Sequence, residues 1–122
     1  MATMRRFMYR EDLVHLDRHI ALEDEPARRQ MLTRRLTYEI DGLEAAEMKT
    51  ITPRQAYSAN YWKARAARLR QASGLYRSQA VHDHLMQVAA GYDNLAERAT
   101  KIQAHAEQAS AWHSALATHP ST

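Results

Sequence analysis

The chain has 122 residues, with 17 lysines and arginines against 14 acids, 45% hydrophobic residues and no cysteine. A chain of this length is expected to form one domain over residues 1–122 that removes about two thirds of its unfolded surface from water. Without thiols it can hold no disulfide, no thiolate metal site and no cysteine nucleophile. Three glycines and three prolines leave little turn chemistry for strands, so the expected class is all-α: an antiparallel bundle of about four helices with a long C-terminal heptad helix.

Residues 1–9 carry Phe7, Met8 and Tyr9 among Arg5 and Arg6, and read either as a flexible arm or as the first turn of a helix. No apolar run there has the length of a signal peptide, and none elsewhere approaches a membrane span, so the expected location is cytoplasmic. Leu13, Leu16 and Ile20, with Val14 and Ala21 beside them, recur at helical spacing and predict a first helix over Glu11 to Leu22. Glu23, Asp24, Glu25 and Pro26 then supply a cap and a proline for the first turn of a second helix. Its stripe of Leu32, Leu36, Ile40 and Leu43 runs to about Met48, passing Gly42, a candidate kink.

Ile51-Thr52-Pro53-Arg54-Gln55-Ala56 reads as a capping box: Thr52 caps, Pro53 takes the first helical position and Gln55 reaches back. A third helix is predicted from Pro53 to Ser73, ending where Gly74 can turn left-handed and Leu75 can supply an apolar contact. Ser78 offers a cap for the fourth helix. There Val81, Leu85, Val88, Tyr92, Leu95, Ala99, Ile102, Ala106, Ala109, His113 and Leu116 follow one another at alternating steps of four and three, an unbroken heptad seam. Ala59, Trp62, Ala66 and Leu69 form a matching stripe on the third helix, expected to pair antiparallel with Val81 to Ala99. That leaves the rest of the seam to the first helix, the arm or another subunit. Gly91 is the place for a break, although Ala89 and Ala96 beside it favour continuity. Residues 118–122, with Pro120, read as a loose tail.

The run Tyr61-Trp62-Lys63-Ala64-Arg65-Ala66-Ala67-Arg68-Leu69-Arg70-Gln71-Ala72, followed after a turn by Leu85 to Ala99 with its Ala-x-x-Tyr-x-x-Leu-Ala pattern, resembles a group of small uncharacterised helical-hairpin proteins of alphaproteobacteria. The resemblance covers about a third of the chain and implies a helical hairpin. It brings no activity, cofactor or catalytic residue with it. The turn from Ser73 to Ser78 departs from the Asp-Pro turn of such sequences.

Charge is unevenly spread: residues 52–80 hold six bases and no acid. Within them Arg54, Tyr57, Tyr61, Arg65 and Arg68 project in one sector of the third helix, an aromatic and arginine pattern suited to an anion or nucleic acid. The competing reading packs Tyr57 and Tyr61 on the second helix and pairs the arginines with Glu39, Glu44 and Glu47, which connected helices favour. Arg28, Arg29, Arg34, Arg35, Arg70 and Arg77 are expected to gather at one end of the bundle, salt-bridged to Glu23, Asp24, Glu25 and Asp83. His15 and His19 stand four apart, but no Glu-x-x-His or second ligand helix accompanies them, so no metal is expected. His82, His84, His105 and His113, the serines and the scattered glycines form no catalytic or phosphate-binding constellation, so neither an enzyme nor a cofactor is expected. The sequence therefore reads as a helical interaction or scaffold protein. The expected partner is a second copy, most simply a dimer, joined through Ile102, Ala106, Ala109, His113 and Leu116, with anion or nucleic-acid binding as the alternative.

Overall fold

A computed structural model describes the backbone of residues 11–118 and the side chains of residues 11–116. The expected arm over residues 1–9 and the tail beyond Thr118 lie outside the described residues. Among the described residues five helices follow one another: α1 (Glu11–Leu22), α2 (Pro26–Met48), α3 (Pro53–Ala56), α4 (Ala59–Ser73) and α5 (Gln79–Thr118). No strand occurs among the described residues, the helices pack together, and the fold is all-α. None of these helices is long and apolar enough to cross a membrane.

The C-terminal end of α1 and both ends of α2 fall where the apolar spacing and the caps put them. Glu25 caps α2 by accepting from the Arg28 amide at 2.9 Å, and Pro26 fills the first turn. The Thr52–Gln55 capping box is formed in both directions, at 3.1 and 2.8 Å. The helix it opens is nevertheless only one turn long, which corrects the single helix expected from Pro53 to Ser73. The chain leaves helical geometry at Ser58 (φ −101°, ψ 114°), whose side chain accepts from the Tyr61 amide and starts α4 as a second cap. The Trp62 indole takes the Ala56 carbonyl at 2.9 Å, a group the next turn of a continuous helix would have used. Serine competes with the helical backbone for local hydrogen bonds, and here it wins because an indole satisfies the carbonyl so released.

The end of α4 also differs from expectation. Gly74 stays right-handed (φ −68°, ψ −14°), and the turn closes through amide bonds from Gly74, Leu75 and Tyr76 to the carbonyls three residues back. Leu75 is exposed while Tyr76 is buried, so the residue that anchors this turn is the tyrosine.

The core is built on α5. Val81, Leu85, Ala89, Tyr92, Ala96 and Ala99 are buried against Trp62, Ala66, Leu69 and Ala72 of α4, and Leu36 and Ile40 of α2 with Leu13 and Ile20 of α1 complete the cluster. The expected antiparallel pairing of α4 with Val81 to Ala99 is the main contact of the fold. Val88 and Leu95, which belong to the heptad seam, are only half-buried, because the buried stripe includes Ala89 and Ala96 beside them.

Both α2 and α5 are continuous through their glycines, and a Cβ placed on either Gly42 or Gly91 meets nothing within 4 Å. Glycine inside an exposed helix costs about 0.5–1 kcal/mol relative to alanine. Gly42→Ala and Gly91→Ala are each expected to stabilise the protein by that amount, read as a rise in the urea midpoint. A loss of stability at either position would mean that the helix bends there in solution.

Candidate functional site

Three charged residues occupy core positions. Trp62, Arg65, Ala66 and Leu69 share the buried face of α4, and Arg65 is 1% exposed. Its Nη2 donates to Glu44 Oε1 at 2.6 Å and to the Tyr92 hydroxyl at 3.1 Å, and its Nη1 donates to the Tyr61 hydroxyl at 3.0 Å. The Tyr92 hydroxyl in turn donates to the same Glu44 oxygen. Aromatic rings enclose the guanidinium, whose carbon lies 4.8 Å from the Tyr92 ring centre and 5.9 Å from that of Tyr61. Trp62 stacks on Tyr92 at 5.6 Å and meets Tyr61 edge-on at 5.0 Å. One ion pair with its tyrosines therefore ties α2, α4 and α5 together.

The electrostatics follow from this enclosure. Burial alone would lower the Arg65 pKa, but the hydrogen bonds to Tyr61 and Glu44, with the Glu44 charge, outweigh it and hold the pKa above the ordinary arginine value. Tyr92 is pushed well above the usual tyrosine range, first by burial and then by its hydrogen bond to Glu44. Glu44 concentrates its bonds on Oε1, while Oε2 is buried with no hydrogen-bond partner among the described residues.

Asp17, 1% exposed, is the third such residue. It accepts from the amides of Arg77 at 2.7 Å and Ser78 at 3.1 Å, just where α5 begins. A carboxylate there meets both unsatisfied amides and the positive end of the helix dipole. The bond fastens α1 to the turn between α4 and α5, and Tyr76, buried beside it, has its pKa pushed up to about 12 by burial and by the Asp17 charge.

The anion site expected from Arg54, Tyr57, Tyr61, Arg65 and Arg68 is not one surface. Arg54 and Tyr57 are exposed, Tyr61 and Arg68 are half-buried, and Arg65 is enclosed in the core. The sector was drawn on one continuous helix; the break at Ser58 separates Arg54 and Tyr57 from α4, and Arg65 lies in phase with Trp62 and Leu69 instead of away from them. The competing pairing with α2 is realised by Glu44. At the other end of the bundle, Arg28 meets Glu23 at 3.6 Å, Arg29 donates to the carbonyls of Glu23 and Asp24, and Arg70 pairs with Asp93 on α5. His15 and His19 are exposed, and among the described residues no group of three or more His, Cys, Asp or Glu side chains is placed to hold a metal ion.

The last part of α5 is different in kind. Every side chain from Thr100 to Leu116 is exposed, and these include Ile102 (48%), Trp112 (67%) and Leu116 (55%). Ile102, Ala106, Ala109, His113 and Leu116 lie on one apolar face of this segment, and so does Trp112, three residues beyond Ala109 and four before Leu116. Trp112 falls outside the seam of fours and threes and was not picked out by it. Its helical spacing from Ala109 and Leu116 was the signal that marked it. Comparison with known protein families, curated proteins and solved structures finds no match to this chain.

Removing one member of a buried ion pair leaves the other charged and unpaired, at a cost of about 3–5 kcal/mol, whereas apolar replacement of both is often neutral. Arg65→Met is expected to destabilise the protein by that amount in urea unfolding, and adding Glu44→Leu should restore most of the loss. Losses that simply add would contradict the coupling of the two residues.

Proposed function

We propose that this protein is a helical interaction protein that self-associates, most simply as a dimer, through the part of α5 beyond Ala99. The observation that carries this reading is the exposure of Ile102, Trp112 and Leu116 on a helix that is otherwise built into the core. At 1.5 Å per residue, residues 100–118 extend for ~28 Å past the last buried position. Most helices in proteins are held by the packing of an apolar face, and along this segment that face is exposed. Contiguous apolar surface flanked by Lys101 and Gln108, with Glu107 on the opposite side of the helix, has the composition of an interaction site.

The length of the segment also suits a coiled-coil contact. Its apolar residues repeat at heptad spacing, and its alanines let two helices approach closely. Full burial of a large apolar side chain contributes about 1.5–3 kcal/mol. In a two-fold dimer each residue counts twice, so losing one such contact costs about 3–6 kcal/mol, at least a hundredfold in affinity.

Sedimentation of the full chain tests the reading. Wild type is expected at twice the 14.0 kDa chain mass in the micromolar range. Trp112→Asp and Leu116→Asp should each shift the midpoint of association at least a hundredfold while leaving far-ultraviolet circular dichroism of the core in place. A wild-type chain that stays monomeric up to millimolar concentration would overturn the proposal.

A further inference from the structure

Resting on the self-association proposed above, we infer that two copies join antiparallel, with their α5 segments crossing at Ala109 so that Ile102 of one copy meets Leu116 of the other and Ala106 receives Trp112. Val88 and Leu95 lead into Ile102, Ala109 and Leu116 at steps of seven, so the apolar face of the extension continues the side of α5 on which α2 packs. That side is occupied by α2, through Asp41 bonded to His84 at 2.7 Å and Glu44 bonded to Tyr92, with α4 on the neighbouring side. A helix laid parallel and in register would run its own residues before Ala99 into this filled space. An antiparallel helix runs its own bundle the opposite way, off the far end of the segment.

Reflected about Ala109, the face is complementary to itself: Ile102 falls opposite Leu116, Ala106 opposite Trp112, and His105 opposite His113. The largest side chain meets a methyl group, and the small residues lie at the crossing, where the backbones come closest. Parallel pairing in register would instead put Ala106 level with Ala106, Ala109 with Ala109 and the two Trp112 side chains with each other. A specific interface takes about 800 Å² from each partner, and a segment of ~28 Å approaches this only when it is overlapped along its whole length. The reflection about Ala109 gives that overlap, ending near residue 100 of each copy, where the exposed stretch begins.

Single cysteines test the register, because the chain has none of its own. Packed helices lie about 8–10 Å apart, with Cα atoms ~2.3 Å from each axis, so at the upper end of that spacing two residues at the crossing come to a Cα separation of ~5 Å, within disulfide reach. Full-length Ala109→Cys is therefore expected to give a cross-linked dimer under mild oxidation. Ala106→Cys should not, since its two copies are offset by ~9 Å along the axis on each side of the crossing. An equimolar mixture of Ile102→Cys and Leu116→Cys chains should cross-link to each other several-fold more than either does to itself. Cross-linking of both Ala106→Cys and Ala109→Cys would show a parallel pair and overturn the inference. A dimer by sedimentation that none of these cysteines links would place the contact elsewhere on the chain. If wild type is a monomer at every concentration and Ala109→Cys stays unlinked, the self-association itself fails.

Discussion

The fold depends on the ion pair between Arg65 and Glu44. It lies where α2, α4 and α5 meet, and its two charges are almost wholly removed from water, with side-chain exposures of 1% and 7%. Such a pair gains little net stability, since the cost of desolvating both ions rivals their attraction. Its consequence is register. Sliding α4 along α5 by one turn, ~5.4 Å, would strand a guanidinium and a carboxylate in the core. The tyrosines make the arrangement stricter: Tyr92 bonds both members of the pair, and Tyr61 bonds the second nitrogen of Arg65.

This helps an alanine-rich hairpin hold one alignment. Ala66, Ala72, Ala89, Ala96 and Ala99 bury little area each and offer few features that distinguish one register from the next. The large rings of Trp62 and Tyr92 and the ionic contact above them supply the distinction at one level, and Asp17, holding the start of α5, supplies it at the other. Beyond Ala99 neither device acts. There α5 leaves the bundle, and Ile102, Trp112 and Leu116 are exposed.

Much of the architecture was legible in the sequence because apolar spacing and caps act locally. The end of α1, the start of α2 at Pro26, the capping box at Thr52 and the pairing of Trp62, Ala66 and Leu69 with Val81 to Ala99 could all be read this way. The break at Ser58 could not, because it depends on an indole reaching the Ala56 carbonyl from six residues away. Gly74 offered a left-handed end, but the turn needed none. The buried charges have one shared signal: Glu44 and Arg65 go with the polar faces by residue type and Asp17 draws no attention, whereas by position Asp17 falls between Leu13 and Ile20, Glu44 follows Leu36 and Ile40 at steps of four, and Arg65 falls between Trp62 and Leu69. A charged residue inside an apolar phase, with an opposite charge in the same condition on a neighbouring helix, was the available signal. Of the candidate interface, the heptad seam supplied five residues and passed over Trp112, whose position on the same face emerges from helical rather than heptad spacing.

In the proposed assembly one helix does two jobs, as a core element locked by the ionic contact up to Ala99 and as an association surface after it. Residue-resolved amide hydrogen exchange on the full chain, measured at several protein concentrations, tests this most directly. The account predicts that amides from Leu85 to Ala99 exchange only with global unfolding, and that protection from Ile102 to Leu116 rises with protein concentration. Protection of the terminal segment that does not change with concentration, or exchange of the Leu85 to Ala99 amides as fast as that segment, would contradict it.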